Sequence, residues 1–268
     1  MIDRGKRSVL GVGIDVVDYE AAVAKVLAAA RERRSFTVSA LAVHGVMTGL
    51  ADTAHRYRLN RLDLVVPDGQ PVRWALRLLH GEKLRERVYG PKLTLLVCEA
   101  AAEAGIPVHL YGSTPETLGK LEANLARLFP TLRISGCAPS QFGRAAEAEN
   151  EEIMRSIREA GAGIVLVGLG CPRQEVFLFE NARALSCAVL AVGAAFDFVA
   201  GTVPQAPTWM GDRGLEWLFR LLHEPRRLWR RYLLLNPLFC WNVARQWLAP
   251  ARFRPDEDLP PNASERYV

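Results

Sequence analysis

Six short apolar segments alternate with stretches of helix length along most of the chain, and this alternation restricts the fold more than any other feature. The apolar segments are residues 36–43, 62–66, 106–112, 132–136, 163–170 and 188–193. Helical patterns precede or separate them, at residues 19–33, 93–104, 115–128 and 145–160. Strands separated by helices favour a parallel sheet, and strands buried on both faces are continuously apolar. The sequence therefore predicts a doubly wound, mostly parallel, Rossmann-like α/β body.

Length and composition divide the chain into three parts. A chain of 268 residues, half of them hydrophobic, is long enough for one large domain with an appendage. The TVPQAP segment at residues 202–207 is the expected seam. We therefore expect an α/β body at residues 1–203, a basic helical appendage at 204–250 and a disordered tail at 251–268.

Residues 209–232 divide into two faces when they are placed on a helix, at about 100° per residue. One face carries Leu218, Leu221, Leu222, Leu228, Trp229, Tyr232 and Leu233, and the other carries Arg220, Arg227 and Arg231. Pro225 should interrupt the helix, because proline lacks a backbone donor and crowds the preceding turn. The pattern is typical of a helix in an anionic membrane interface, but it equally fits a helix packed on its own domain with a solvated basic face.

The sequence contains no segment with the length and apolarity of a membrane span. The first 18 residues mix charged and apolar groups, unlike a signal peptide. The most apolar late run, residues 232–241, is about half as long as a spanning helix and contains Asn236 and Pro237. Five widely spaced cysteines without a CxxC pair are typical of reduced thiols. We therefore expect a cytoplasmic protein whose membrane contact is peripheral, on the inner face.

Polar residues follow four of the apolar segments, at the strand ends where open parallel sheets bind ligands. Asp68 follows residues 62–66, either as a functional carboxylate or as a cap of the next helix. Gly112 is followed by Ser113 and Thr114 at the start of a helical pattern. Such a turn offers backbone N–H groups to a phosphate, although many similar turns bind nothing.

The segment GLGCPRQE, at residues 168–175, follows the fifth apolar run. Its glycines allow a ligand to approach the backbone, and Arg173 and Gln174 add polar groups. It also resembles half of a dinucleotide fingerprint, but Arg173 occupies the place of the third glycine. After the last apolar run, Asp197 is a candidate sugar contact, or a residue that satisfies buried backbone donors.

Several common catalytic motifs are absent from the sequence. It contains no GxxxxGK[ST], HExxH or GxSxG, and its Asp256-x-Asp258 pair lies in the expected tail. Phosphate binding would then depend on backbone amides and arginines. The five histidines lack metal-ligand spacing, and only His44 follows a strand closely enough to be a site candidate. We therefore expect no metal, no other cofactor and no nucleic-acid partner.

Six blocks of this sequence are similar to the WecG/TagA/CpsF family of bacterial glycosyltransferases. They are VVPDG (65–69), RVYG (87–90), LYGSTPE (110–116), VGLGCPRQE (167–175), VGAAFDFVAGTVPQAPTWM (192–210) and GLEWLFRLLHEPRRLWRRY (214–232). The blocks stand in the family's order, and the last three are long and specific. The resemblance extends from about residue 11 to residue 232.

The resemblance implies an inverting, metal-independent transfer from a UDP-sugar to a polyprenyl-diphosphate-linked sugar in surface polysaccharide synthesis. It implies that Asp68 is the general base, ionised without a large pKa shift, and that Arg87 and Gln174 lie near the reacting centre. The expected donor-binding residues are His44, Gly112, Gly168, Gly170, Pro172, Arg173 and Asp197. The expected membrane- or acceptor-binding residues of the appendage are Arg220, Arg227, Trp229, Arg230 and Arg231.

The chain departs from the family pattern near the end of its first apolar segment, where the family's second strand ends. Many family members have Thr-x-Asn where this chain has Ala40-Leu41-Ala42, followed by Val43 and His44. Two hydrogen-bonding side chains are thus missing from the expected sugar pocket, and His44 is a candidate replacement for part of their role. An unacetylated hexose donor is therefore at least as plausible as an N-acetylated one.

Two other functional classes fit parts of the sequence. The Gly168-x-Gly170 pair and the α/β pattern also fit a nucleotide-dependent oxidoreductase. The basic helix alone fits a noncatalytic adaptor at a membrane surface. Because one fold serves many functions, the geometry of the site has to distinguish these classes.

Overall fold

The computed structural model describes residues 1–140, 147–253 and 260. The strands are β1 (Asp3–Val9), β2 (Val12–Val17), β3 (Phe36–Leu41), β4 (Leu64–Pro67), β5 (Val108–Gly112), β6 (Ile134–Ala138), β7 (Ile164–Gly168) and β8 (Ala188–Ala191). The α-helices of the first two hundred residues are α1 (Tyr19–Arg31), α2 (Val43–Ala51), α3 (Thr53–Asn60), α4 (Gln70–His80), α5 (Gly90–Ala104), α6 (Pro115–Leu128), α7 (Glu147–Glu159), α8 (Arg173–Asn181) and α9 (Ala195–Ala200). The later helices are α10 (Thr208–Asp212), α11 (Glu216–His223), α12 (Pro225–Trp229) and α13 (Leu235–Leu248).

The central sheet contains the six strands that the sequence predicts. Their order is β4-β3-β8-β7-β5-β6, and every neighbouring pair is parallel. Alternate residues of β7 face opposite sides of the sheet: Val165 packs in one hydrophobic core and Leu166 in the other. Burial on both faces explains the continuously apolar strands. The predicted doubly wound, parallel α/β fold is confirmed.

An antiparallel hairpin of β1 and β2 lies beside the sheet, and the sequence analysis did not predict it. Asp15 of β2 accepts a hydrogen bond from the backbone N–H of Val65 in β4, at 2.7 Å. The amino group of Lys6 in β1 lies 3.6 Å from the same carboxylate. The hairpin therefore adjoins the β4 edge of the sheet through a buried carboxylate. The charged residues of β1 obscured it in the sequence, because they interrupt the apolar pattern of a strand.

The C-terminal helices are interrupted where the sequence predicts. The helix α11 ends before Glu224, and Pro225 is the first residue of α12, a position at which the missing N–H of proline is tolerated. A π-helical turn, Arg230–Leu234, then leads into α13. The continuous helix that the two-faced pattern suggested is thus divided into short segments.

The last long helix, α13, packs on the α/β body. Phe239 and Val243 are buried in the core beside α2 and α4. The side-chain amide of Gln246 accepts from the N–H of Leu10 at 2.8 Å and donates to the carbonyl of Ser8 at 3.0 Å. These contacts attach α13 firmly to the hairpin, and the domain boundaries at residues 203 and 250 stay predictions.

The outer side of the C-terminal helices is apolar and exposed. Its large exposed side chains are Leu222, Trp229, Leu233, Leu234, Leu238, Trp241, Trp247 and Leu248. None of the helices in the described part of the chain has the length and hydropathy to cross a membrane. A short 3-10 helix, Pro250–Arg252, occupies the start of the segment predicted to be disordered, and residues 254–259 and 261–268 of that segment lie outside the described residues.

Candidate active site

One cavity of about 540 Å³ lies beyond the carboxyl ends of β3, β4, β7 and β8. This is the edge of the sheet at which parallel strands place their following loops, and the volume is in the range of small-ligand sites. Residues from the C-terminal helices close another side of the cavity. Its wall therefore combines strand-end loops of the α/β body with side chains of the predicted appendage.

Asp68 directly follows β4 and lies in the wall of this cavity. It makes no capping hydrogen bond to α4; instead its carboxylate accepts from the N–H of Gly90, the first residue of α5, at 3.1 Å. The pKa of Asp68 is raised to about 6, mainly by burial and also by the charge of Glu216, although the charge of Arg87 acts to lower it. An ordinary Asp would already be ionised at neutral pH, and the raised pKa brings Asp68 closer to neutrality than the sequence alone indicates.

Arg87 forms an ion pair with Glu216 of α11, and both side chains are largely buried, at 15% and 13% exposure. The Arg87 guanidinium also lies over the ring of Tyr89, 4.2 Å from its centroid. Burial acts to lower the pKa of Arg87, but the charges of Glu216 and Asp68 raise it overall, so the guanidinium stays cationic. The hydroxyl of Tyr19 accepts from the N–H of Tyr89 at 2.8 Å and so fixes this loop.

Two arginines of the two-faced segment lie in the cavity wall. They are Arg220 of α11 and Arg231 of the π-helical turn, and Trp217 and Tyr232 lie beside them. The guanidinium of Arg220 lies 5.1 Å from the centroid of the Phe198 ring. The solvated basic face, one of the two interpretations of the sequence, is therefore wrong for these two arginines, because the broken helix turns them toward the α/β body.

The other appendage candidates lie apart from the cavity or cannot be placed. Trp229 is 42% exposed, and the Arg230 guanidinium lies 5.3 Å from the centroid of its ring. Neither side chain belongs to the cavity wall. The side chain of Arg227 lies outside the described residues.

In the turn after β5, Gly112 has a structural role, and the next two residues, Ser113 and Thr114, line the cavity. Gly112 has φ +115°, and a Cβ there would lie 2.8 Å from the backbone of Gly168, so the close approach of β5 and β7 requires glycine. Gly112 does not line the cavity, contrary to its assignment as a donor-binding residue, whereas Ser113 and Thr114 do. Thr114 also caps α6 by accepting from the N–H of Thr117 at 3.2 Å.

Only some residues of the GLGCPRQE segment line the cavity. Gly168, Gly170 and Gln174 line the cavity, and so does Asp197 of α9; their roles in catalysis and donor binding stay predictions. Pro172 and Arg173 do not line it. Pro172 precedes α8, and Arg173 points to the hydroxyl of Ser140, at 3.4 Å. Consecutive residues of a helix face different directions, which explains why only part of this motif reaches the cavity.

The end of β3 places Ala40, Ala42 and His44 together in the cavity wall. The pKa of His44 is lowered to about 4, mainly by burial and also by the nearby charge of Arg231. His44 is therefore neutral at physiological pH and contributes a hydrogen-bonding group but no charge. The departure from the family pattern thus lies at the cavity and not in a remote part of the fold.

A buried polar cluster lies behind Gln174, and the sequence analysis did not identify it. Ser39 of β3 and Gln174 both donate to one carboxylate oxygen of Glu175, which is fully buried. Cys171, His55 and Glu175 also place potential metal-ligand atoms within 4.8 Å of one another, the one such group in the described ranges. The expected absence of a metal remains a prediction.

The sequence signals for the overlooked residues were weak for definable reasons. Ser39 stands inside an apolar strand, where a small polar residue is usually only a packing element. Glu216 stands within the block GLEWLFRLLHEPRRLWRRY that carries the family resemblance, but a single acidic residue among arginines gave no signal of its own. Both roles depend on contacts between residues more than a hundred positions apart in the chain.

We predict that Glu216→Gln lowers the pKa of Asp68 below 6, toward 3.8, the ordinary value for Asp. The substitution removes a negative charge near Asp68 and frees Arg87 to interact with it, and both changes favour the ionised carboxylate. Carbon-13 NMR titration of labelled aspartates measures the midpoint, with the resonance assigned through its loss in Asp68→Asn. Glu86→Gln is the control, because it removes an exposed partner of Lys92 in the same loop. An unchanged or higher midpoint in Glu216→Gln contradicts the prediction.

Comparison with known protein families shows that this chain matches one family over nearly its whole length. The model of the family described as "Glycosyl transferase WecG/TagA/CpsF family" matches residues 7–253. The match includes the sheet, every described residue of the cavity wall and the C-terminal helices that close it. The chain therefore belongs to the WecG/TagA/CpsF glycosyltransferase family, whose members act in cell-surface polysaccharide synthesis.

Proposed function

We propose that the protein is an inverting, metal-independent glycosyltransferase that moves a sugar from a UDP-sugar to a polyprenyl-diphosphate-linked sugar. The observation that carries this proposal is the juxtaposition, in one cavity, of a carboxyl with a raised pKa and three arginines. These residues are Asp68, Arg87, Arg220 and Arg231. The family assignment favours sugar transfer over the oxidoreductase and adaptor alternatives.

Of Asp68 and Glu216, which both lie beside Arg87 in the cavity wall, Asp68 is the better general base. A base with a pKa of about 6 is mostly ionised at neutral pH and still accepts a proton effectively. Glu216 is held in a largely buried ion pair with Arg87, so its carboxylate is already engaged by that guanidinium. The position of Asp68 at a strand end also presents its carboxylate to a bound acceptor.

The transfer proceeds in one displacement. Asp68 removes the proton of the acceptor hydroxyl while that oxygen forms a bond to the anomeric carbon of the donor sugar. The bond from this carbon to the diphosphate oxygen breaks on the opposite face, and its electron pair leaves with UDP. Attack opposite the leaving group inverts the anomeric configuration.

The arginines supply the charge stabilisation that a bound metal supplies in other enzymes. Negative charge develops on the diphosphate as it leaves, and a guanidinium offers fixed donors to such an anion. Arg220 and Arg231 line the cavity, and Arg87 can exchange part of its contact with Glu216 for the diphosphate. The helix start after Thr114 adds backbone donors at the same cavity.

We predict that Asp68→Asn lowers kcat by about 10²–10⁴-fold, because the amide keeps the shape of the carboxylate but cannot accept the proton. The affinity for UDP, measured by calorimetry, should stay near that of the unaltered protein. Near-normal turnover in Asp68→Asn would exclude Asp68 as the base.

We also predict that turnover of the unaltered protein after exhaustive chelation matches that of the untreated protein, because the arginines take the place of a metal. Activity that returns only with added manganese or magnesium would contradict metal independence.

The donor is proposed to be an unacetylated UDP-hexose. Ala40 and Ala42 line the cavity and offer no side-chain hydrogen bond to an acetamido group, and neutral His44 is the polar group beside them. A site that hydrogen-bonds a substrate group rejects analogues without it more strongly than an apolar site discriminates by size. Two alanines at this position therefore weaken selection for the acetylated sugar.

We predict a higher kcat/KM with UDP-glucose than with UDP-N-acetylmannosamine, and a loss of the native reaction in Ala40→Thr combined with Ala42→Asn. Steady-state kinetics with both donors and one acceptor analogue measures the preference. Ala40→Val combined with Ala42→Leu adds similar bulk without hydrogen-bonding groups and is therefore the control for added bulk. A clear preference of the unaltered protein for the acetylated donor would leave the two alanines without a role in specificity.

The apolar outer side of the C-terminal helices is proposed to contact an anionic membrane surface, which brings the cavity to a lipid-linked acceptor. Trp241 and Trp247 are 64% and 61% exposed on α13, and exposed Arg226 and Arg230 lie on the preceding segments. Exposed aromatic and leucine side chains beside arginines fit an interfacial helix. This proposal keeps the location expected from the sequence, which is cytoplasmic and peripheral on the inner face of the membrane.

We predict that Arg226→Glu with Arg230→Glu reduces sedimentation with anionic vesicles by about tenfold or more, since each basic residue contributes about 1 kcal/mol at such a surface. Raised salt should have a similar effect, because exposed charges are screened. Arg127→Glu with Arg133→Glu is the matched control, with the same change of charge at exposed positions elsewhere. Binding that ignores both salt and charge reversal would refute electrostatic anchoring.

A further inference from the structure

The side-chain amide of Gln174 is held in one orientation at the cavity wall. Gln174 is 3% exposed, and its NH₂ group donates to a carboxylate oxygen of Glu175 at 2.8 Å. Its carbonyl oxygen is buried and has no hydrogen-bond donor among the described residues. A buried acceptor without a donor is unfavourable, so an incoming hydroxyl or N–H group gains by reaching it.

Glu175 is in turn held by Ser39. The Ser39 hydroxyl donates at 3.0 Å to the same oxygen, Oε1, that accepts from Gln174. A reversed Gln174 amide would bring two acceptor oxygens together, which is repulsive. Burial raises the pKa of Glu175, and a proton on its other oxygen, which makes no hydrogen bond, would leave Oε1 an acceptor. The orientation of Gln174 therefore holds in either protonation state.

We propose that Glu175 and Ser39 are positioning residues that fix the Gln174 carbonyl toward the cavity, so that Gln174 selects a hydrogen-bond donor on the ligand. With the proposed function, on which this part rests, that donor is a hydroxyl of the transferred sugar. A Cβ at Gly193 would lie 3.4 Å from this carbonyl oxygen, so the glycine keeps a side chain out of the space beside it. Glu175 and Ser39 thus restrict the side-chain amide of Gln174 to one of its two possible orientations, in which the carbonyl oxygen is the acceptor for the ligand.

Amide exchange measures the orientation independently of catalysis. In protein labelled with nitrogen-15 at glutamine side chains, the Gln174 NH₂ signal is assigned by its loss in Gln174→Met. We expect its exchange with water to be at least about tenfold slower than that of exposed Gln205. Glu175→Leu should abolish this protection, and Glu175→Gln should retain it, because the amide still offers an acceptor oxygen.

Ser39→Ala supplies a milder variant in case Glu175→Leu fails to fold. It should speed Gln174 exchange, whereas its matched control, Thr37→Val, should not. Thr37 lies in the same strand and is also buried, but its hydroxyl donates to Asp63, at 2.8 Å. Rapid exchange of Gln174 in the unaltered protein, or protection that survives both Glu175→Leu and Ser39→Ala, would overturn the positioning role.

Donor analogues test the recognition of a hydroxyl. With UDP-glucose, Glu175→Leu should lower kcat/KM by roughly 3- to 10-fold, the effect of one hydrogen bond. Among monodeoxy analogues of UDP-glucose, one should react about tenfold more slowly than UDP-glucose with the unaltered protein, but almost equally with Glu175→Leu. Equal discrimination by both proteins for every analogue would overturn hydroxyl selection. If no UDP-sugar reacts with the unaltered protein, the proposed function and the hydroxyl assignment fail, while amide exchange still decides the positioning role.

Discussion

Parallel pairing of six strands is the constraint on which the site depends. In a parallel sheet all strands end at the same edge, so residues that are distant in the chain meet in the loops beyond it. The register of β3 with β4 places Leu41 opposite Pro67, and the next N–H, of Asp68, donates to the Leu41 carbonyl at 3.2 Å. The backbone ladder itself therefore brings Asp68 beside Ala42 and His44, before any side-chain contact contributes.

Charge balance then links this edge to the C-terminal helices. A carboxylate in a partly dry cavity is unfavourable without a compensating cation, and Asp68 and Glu216 are compensated by Arg87 and Arg220. Because Glu216 comes from α11 and Arg87 from the loop before α5, their ion pair connects the two parts of the chain at the cavity. The ion pair with Glu216 also weakens the electrostatic attraction between Arg87 and Asp68. Docking of α11 thus influences the proton affinity of the proposed base.

The sequence was sufficient for the parts of the structure that depend on local pattern. Apolar runs identified all six strands of the sheet, and proline identified the break before α12, because burial on both faces and a missing N–H act within a few residues. Asp68 was a candidate because it follows a buried strand, but that position fitted a helix cap equally well, and its assignment as the base came from the family resemblance. These predictions required no knowledge of long-range contacts.

Features that depend on tertiary contacts were missed or assigned wrongly. The β1–β2 hairpin is stabilised by the contact of Asp15 with the β4 edge, which the mixed composition of residues 3–17 does not reveal. Arg173 was assigned to the cavity from its place in a motif, but the start of α8 turns it toward Ser140. The shift in the pKa of Asp68 arises from burial and from Glu216, about 150 positions away. Such effects belong to the folded environment and not to the local sequence.

The two-faced segment shows how one amphipathic pattern can serve two surfaces. A helix with separate apolar and basic faces was expected to place its apolar face on a membrane or on the body, with its arginines in solvent. The break at Pro225 and the π-helical turn rotate successive parts of the segment, so Leu228 is buried, Arg231 lines the cavity and Trp229 is exposed. Inward-facing arginines and outward-facing tryptophans then lie on the same short stretch of chain. The same few helical turns therefore keep the surface proposed to contact lipid adjacent to the cavity proposed to hold the donor's diphosphate.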